Sequence, residues 1–410
     1  MLNAHPHVGL KILMSGGTRC NVTHKQVTEK DFNGGSRPFV ARVLRAFTVE
    51  QTLAWFAELG VALKLEDTDK YFPESDDAQT VLDALMARVA AAGVKVESGA
   101  RVIRLERAGD DASPAPFRIG VEDIPDTMAL GVTGVARAGQ LDWPLPARKP
   151  QLWIEADRVI IATGGLSFPR TGSDGTGYAL LTALGHSMEP PIPALTPLAA
   201  EDPWCSELQG LTCEVALRLL VEGKAVAEVR GSLLFAHFGY TGPAALDLSR
   251  HWLRARESGK ERKVMASFIP GAREETLLNA WIEMAPHDPR ATVRSMLTGQ
   301  LPERLITIIC REAGIDAAKM LSQISKEGRA RLARMIVARD MPVSGVLGYE
   351  KAEVTAGGVK LAEVNPSTLE SRVVPGLYLC GEVLDVEGRL GGFNFQWGWS
   401  SGSVAGRGAV

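Results

Sequence analysis

Apolar and polar positions along the 410-residue chain fall into stretches of helical and of strand period, in the alternation expected of an α/β protein. Thr48-Val-Glu-Gln51 has capping-box spacing and predicts a helix through Leu59, with Leu53, Phe56, Ala57 and Leu59 inward and Gly60 as its stop. Asp76 or Asp77 opens a second helix, with Val81, Leu82, Leu85, Met86 and Val89 inward and Gly93 as its stop. Val94 to Leu105 is strand-like. Val159-Ile-Ile-Ala-Thr-Gly-Gly165 reads as a buried strand running into a glycine turn, and so does Leu377 to Cys380 after Pro375-Gly376. Between them, Asp110 to Pro150 is rich in Pro, Gly and Ala and predicts a hairpin-bearing excursion with a loose loop.

The pattern changes after Pro190. Pro190, Pro191, Pro193 and Pro197 predict a stiff linker. Leu211 to Phe235 predicts short strands separated by Gly223 and Gly231, hence a small β-domain, and Pro243 starts a helix. Arg273 to Ala338 is helical in period and highly charged. Met341 to Val359 returns to strand, with Thr355-Ala-Gly-Gly-Val359 as a further glycine turn. An α/β domain built from both ends of the chain follows from this order.

Composition narrows the function classes. Hydrophobic content of 45% and charged content of 23% suit a globular protein, and the net charge of −3 with no basic run argues against nucleic acid as a partner. Five scattered cysteines without a Cys-x-x-Cys fit a reducing compartment and no structural metal site. No apolar run approaches the ~18 residues of a membrane span, and Met1 to His7 lacks a signal-like apolar core. The expectation is a cytoplasmic protein away from the membrane. Its oligomeric state is not written in the sequence.

Candidate chemistry gathers at the two ends. Gly381-Glu382 ends the last strand with a bare turn and a carboxylate; Gly391-Gly392 permits close approach; Asn394 can cap the helix that follows. Such a helix start suits an anionic or hydroxyl-rich cofactor. Near the other end, Ser15-Gly-Gly-Thr-Arg-Cys-Asn21 offers donors and one arginine to an anion or ring carbonyl. Each stretch also reads as a plain structural turn. His237 lies among aromatics in Phe235-Ala-His-Phe-Gly-Tyr-Thr-Gly-Pro243, where a packed histidine is the ordinary outcome.

Four stretches together resemble the BaiN-like, or aminoacetone-oxidase-family, FAD-dependent oxidoreductases: Lys11 to Thr23, Ile160 to Gly165, Leu234 to Pro243, and Gly381 to Asp385 with Gly391 to Gln396. The resemblance implies a glutathione-reductase-type, Rossmann-like FAD domain interrupted by a β-barrel and a small helical domain. Its boundaries would be 1–190 and 355–410 for the FAD domain, 191–272 and 341–354 for the barrel, and 273–340 for the helices. By position, Ser15, Gly16, Gly17, Arg19 and Asn21 would lie along the flavin, and Thr163, Gly164 and Gly165 near the adenosine or pyrophosphate. Gly381 and Glu382 would meet the ribityl and pyrophosphate. Gly391, Gly392, Asn394 and Gln396 would present N–H groups to the isoalloxazine edge. His237 or Tyr240 would be the proton donor in a pocket closed by the inserts, with NAD(P)H a candidate electron donor and an unidentified small organic molecule the substrate.

The departure is at the start. The resemblance calls for a strand, Gly-x-Gly-x-x-Gly and a helix, a unit of ~30 residues, and no such motif occurs here. Thr18 also stands where many relatives have glycine. Two expectations follow: the chain belongs to a longer reading frame of a working flavoenzyme, or it has lost FAD and survives as a binding or remnant protein. The intact flavin-side motifs favour the first. Taken as it starts, the chain is expected to bind FAD weakly or not at all and to have low stability. An RNA-modifying flavoenzyme is disfavoured by the charge.

Overall fold

The computed structural model describes residues 1–107, 117–123 and 149–410. They form two compact units, Met1–Pro193 with Gly348–Val410, and Ala194–Leu347. Most of the excursion expected between Asp110 and Pro150 lies outside the described residues.

In the first unit, Leu2–Asn3 runs parallel to Glu97–Ser98, and Val159–Ile161 runs parallel to Leu377–Leu379. Leu377–Leu379 is fully buried, as its apolar run requires. Val159–Ile161 departs from expectation, because Ile160 is 45% exposed and Ala162 and Thr163 are exposed as well. Among the described residues this strand pairs along one edge only, and alternate side chains point away from the core. The chain's two ends also pair directly, Phe32–Gly34 running antiparallel to Val386–Gly388.

Helices form where the caps predict them. Thr48 Oγ1 accepts the Gln51 N–H at 3.3 Å and Gln51 Oε1 accepts the Thr48 N–H at 2.9 Å, opening the helix Val49–Glu58. Its inward face is Val49, Thr52 and Phe56, and Ala57 is exposed. The face is rotated from the expected one because Thr52 hydrogen-bonds a residue of the C-terminal helix. Asp77, not Asp76, caps Ala78–Ala91 through the Gln79 N–H at 2.9 Å. Of its predicted inward residues, only Val81 and Leu82 are fully buried.

Two readings of proline and glycine are corrected. Pro190, Pro191 and Pro193 lie in a strand, Met188–Ala194, rather than a linker, and it pairs with Val354–Val359. Thr355 to Val359 is accordingly strand, not turn. Its glycines serve packing: a Cβ at Gly357 would stand 2.5 Å from the Pro190 carbonyl oxygen, and one at Gly358 2.6 Å from that of Val383.

The second unit is built on a seven-stranded antiparallel sheet in the order Arg339–Met341, Arg262–Ser267, Thr212–Val221, Lys224–Ala236, Gly239–Thr241, Leu198–Ala200, Val343–Val346. The first and last of these are separated in sequence by Pro342 alone. Taken as one interrupted strand, they close the ring of pairings into a barrel. Gly231 does not break a strand; it lies within Lys224–Ala236. The turn is Glu222-Gly223, both left-handed at φ 50° and 73°, as a tight hairpin requires. Helices Pro243–Glu257, Glu274–His287, Glu303–Glu312 and Lys326–Val337 complete the unit.

Gly358→Ala forces a Cβ at φ 128° against backbone and is expected to cost about 2–4 kcal/mol in urea unfolding. Gly60→Ala, at φ 79° and facing open space, is expected to cost about 1 kcal/mol. Equal losses would contradict this packing.

Candidate functional site

The site begins where strand Leu377–Leu379 ends. Gly381 takes φ 75° and starts a single 3₁₀ turn. Its N–H donates to Ser401 Oγ at 2.9 Å and its carbonyl accepts Trp397 Nε1–H at 3.0 Å. Both partners lie on the C-terminal helix Phe393–Gly408. Glu382 is thereby aimed inward. Its Oε1 accepts the Thr355 N–H at 2.7 Å and the Ser167 hydroxyl at 3.1 Å, while Oε2 accepts Lys11 Nζ at 3.2 Å. Lys11 Nζ also donates to Ser167 Oγ at 2.8 Å. The carboxylate is therefore tied into the protein on three sides, and Lys11, Ser167 and Thr355 are site residues that the sequence reading missed. No spacing in the sequence links them.

The glycines after Val159–Ile161 divide by role. A Cβ at Gly165 would stand 2.4 Å from Thr355 Oγ1 and 2.8 Å from Glu382 Oε1, so this glycine makes room for the carboxylate network. Gly164, at φ 72°, faces Ser173 Oγ, and Thr163 packs against Gly177 at the start of helix Thr176–Ala183. Gly381 faces open space.

At the other end, helix Leu10–Met14 stops at Ser15, whose hydroxyl donates to the Ile12 carbonyl at 2.8 Å. Ser15 is thus a helix C-cap rather than a free donor. Gly16, Gly17, Thr18 and Cys20 then all have positive φ. Gly16, Gly17 and Thr18 are exposed, and Gly17 has no neighbour for a Cβ within 4 Å. A β-branched threonine at φ 69° is strained where glycine would not be. Arg19 is already engaged by carboxylates. Its guanidinium pairs with Glu66 at 2.6 Å and Asp76 at 3.3 Å and lies 4.1 Å over the Phe72 ring.

The two ends meet at Gly392. This residue is the N-cap of Phe393–Gly408 at φ 91°, and a Cβ there would stand 2.7 Å from the Thr23 carbonyl carbon. In the orientation that satisfies both its groups, the Asn21 carboxamide donates to the Thr23 carbonyl at 3.0 Å and accepts the Gly392 N–H at 3.1 Å. Asn394 is not the cap. Its Oδ1 accepts the Gly388 N–H at 2.8 Å and its Nδ2 donates to the Gly388 carbonyl at 2.9 Å, which fastens the preceding strand to the helix. Gln396 is 1% exposed and spent in the core. Its Oε1 accepts Thr23 Oγ1–H at 2.7 Å, and its Nε2 donates to Thr52 Oγ1 at 2.9 Å and Ser400 Oγ at 3.0 Å. The Gly392 and Gln396 N–H groups are likewise occupied, the latter by the Gly392 carbonyl at 3.0 Å. Phe393, Asn394 and Phe395 are the residues whose N–H groups have no acceptor within the helix.

Gly391, at φ 126°, sits between Lys70, Phe393 and His24. The His24 ring stacks on Phe393, with centroids 4.6 Å apart and planes at 24°. Burial lowers its pKa, so the imidazole is uncharged at neutral pH. His24 is a further residue that the sequence reading passed over.

His237 and Tyr240 lie in the second unit. His237 is exposed in the turn before Gly239–Thr241, edge-on to Phe238. Tyr240 is 1% exposed. Its hydroxyl donates to Asp202, which is ion-paired with Arg339 at 2.8 Å, and burial drives the phenol pKa far up. Tyr240 is held in that buried network and is not poised as a proton donor.

The family described as "HI0933-like protein Rossmann domain" matches residues 1–119 and 131–408. The chain is 32% identical over 411 residues to the 3-dehydro-bile acid delta(4,6)-reductase of Clostridium scindens, covering 100% of this chain and 92% of that protein. It is 30% identical to the ribosomal RNA dihydrouridine synthase of Haemophilus influenzae (96% of this chain, 88% of that one) and 31% identical to that of Escherichia coli (96% and 87%). Among solved structures, an open conformation of a flavocytochrome c3 fumarate reductase aligns at a TM-score of 0.40 and 13% identity, covering 100% of this chain and 74% of that one. The chain belongs to the HI0933-like, BaiN-like family of FAD-dependent Rossmann proteins.

Thr18→Gly is expected to stabilise the protein by about 0.5–1 kcal/mol, because it relieves a left-handed threonine. Gly392→Ala, which meets the Thr23 backbone, is expected to cost about 2–4 kcal/mol. Denaturant titration of both variants checks the pair; a destabilising Thr18→Gly or a silent Gly392→Ala would contradict the geometry.

Proposed function

We propose that this member of a flavin-dependent family is a reductase that holds FAD between its two converging ends and reduces a double bond in an unsaturated ring. The supporting observation is the join at Gly392, where Asn21 brings a run of exposed left-handed residues beside a helix N-terminus. This end fits a flavin ring: the positive helix start suits an electron-rich ring, and Gly391 and Gly392 keep side-chain bulk away. Gly164 and Gly381, both left-handed, would let the sugar and phosphate side approach the backbone closely.

When bound, FAD supplies hydride transfer and electron storage. The chain's part is positioning and electrostatics. The N–H groups of Phe393 to Phe395 would face negative charge, which they stabilise without reorganising. Neutral His24, stacked on Phe393, is the site's candidate for holding a proton in place of Tyr240. The relatives' names share one operation, the addition of two hydrogens to an unsaturated ring. We assign the same operation to this chain, with NAD(P)H as electron donor and a small cyclic enone as substrate class.

A second reading takes RNA as substrate, and one surface favours it. Helix Arg37–Ala46 exposes Arg37, Arg42 and Arg45, carries no acidic residue, and none of the three forms an ion pair among the described residues. Such arginines suit phosphate oxygens.

The test is the full chain purified and titrated with FAD. The expected result is yellow protein that, with NAD(P)H, bleaches the absorbance of a steroid 4-en-3-one. Colourless protein in excess FAD would contradict the reading and leave a non-catalytic binding protein. Salt-sensitive RNA binding that is lost in Arg37→Ala/Arg42→Ala/Arg45→Ala would favour the second reading.

A further inference from the structure

We propose that Lys11 is a positioning residue for the cofactor, acting through Glu382; this rests on the flavin reading above. Three observations carry it. Among the described residues Lys11 is the one cation on the Glu382 carboxylate, at 3.2 Å from Oε2, while Oε1 is already occupied by the Thr355 N–H and the Ser167 hydroxyl. Ser167, fully buried, accepts from Lys11 and donates to Glu382, so the three side chains form a closed ring of hydrogen bonds. The pair also bridges the two ends of the chain: Lys11 lies four residues before Ser15, and Glu382 follows the strand that leads to Gly391-Gly392.

The chemistry of the exposed side follows from counting donors and acceptors. An ammonium has three N–H groups; two go to Ser167 and Glu382. Glu382 Oε2 accepts only from Lys11 among the described side chains and keeps acceptor capacity. Both groups are partly exposed, with side-chain accessibilities of 31% and 19%. One free donor beside one free acceptor recognises a hydroxyl, which is both. It disfavours a bare phosphate, which would meet the carboxylate's charge. The hydroxylated chain of the cofactor, which the resemblance already sets beside Glu382, fits this pair better than the pyrophosphate does, and the new assignment is the role of Lys11. Without Lys11, the carboxylate keeps its bonds to Thr355 and Ser167 but presents an uncompensated charge to a dianionic dinucleotide.

The experiment measures FAD dissociation constants by flavin fluorescence for the wild-type chain, Lys11→Met, Lys11→Arg, Glu382→Gln and Lys11→Met/Glu382→Gln. Far-UV circular dichroism and thermal melting of the cofactor-free proteins are followed alongside. Lys11→Met is expected to weaken FAD about 10- to 100-fold and Lys11→Arg less than about 5-fold. The double variant is expected to bind FAD better than Lys11→Met alone, because a neutral carboxamide in place of the carboxylate needs no cation. A merely structural lysine would lower the melting temperature without this recovery. The proposal is overturned if Lys11→Met binds within about twofold of wild type, or if the losses in the double variant simply multiply. A wild-type chain that binds no FAD overturns the flavin reading itself.

Discussion

A backbone contact no side chain could tolerate governs this molecule. Gly392 lies against the Thr23 carbonyl, and the Asn21 carboxamide closes the contact from the other strand of chain. Residues near position 20 and near position 390 thereby become neighbours, and the C-terminal helix is aimed by that join. The strands Phe32–Gly34 and Val386–Gly388 repeat it a short way off, with Arg389 paired to Asp31. Remove the contact and the helix start, the left-handed turn and the carboxylate network lose their common frame.

Around this join, polar side chains divide into two groups. Gln396, Asn394, Ser400 and Ser401 face inward and bolt the helix to Thr23, Thr52, Phe47, Gly388 and Gly381. Buried polar groups have to be satisfied, and here they satisfy one another across the chain's two ends. What is left for a ligand is mostly backbone: the first N–H groups of a sixteen-residue helix and a run of exposed left-handed residues. Such donors are rigid because side chains elsewhere hold them. The arrangement suits a large, flat cofactor better than a substrate recognised by many flexible side chains.

Much of the frame was legible in the sequence because it rests on local physics. Capping boxes, apolar runs and paired glycines act over a few residues, so Thr48, Leu377 to Cys380 and Gly391-Gly392 could be read directly, and the second cap to within Asp76 or Asp77. Site chemistry was less legible because it depends on partners far away in sequence. Asn394 looked like the helix cap and Gln396 like a donor to a ligand, yet their side chains bond Gly388, Thr23 and Thr52. Arg19 looked like an anion fork until Glu66 and Asp76 came beside it. Lys11, inside a short apolar run, gave no sign of its link to Glu382. Prolines misled for a similar reason: Pro190, Pro191 and Pro193 suggested a linker, but their strand pairs with Val354–Val359.

Hydrogen–deuterium exchange of the full chain, with and without FAD, tests most directly whether the two ends form one site. FAD is expected to slow exchange in two places together, at residues 16–21 and at residues 393–395, with little change in 194–347. Protection confined to one of those segments, or to neither, would contradict it.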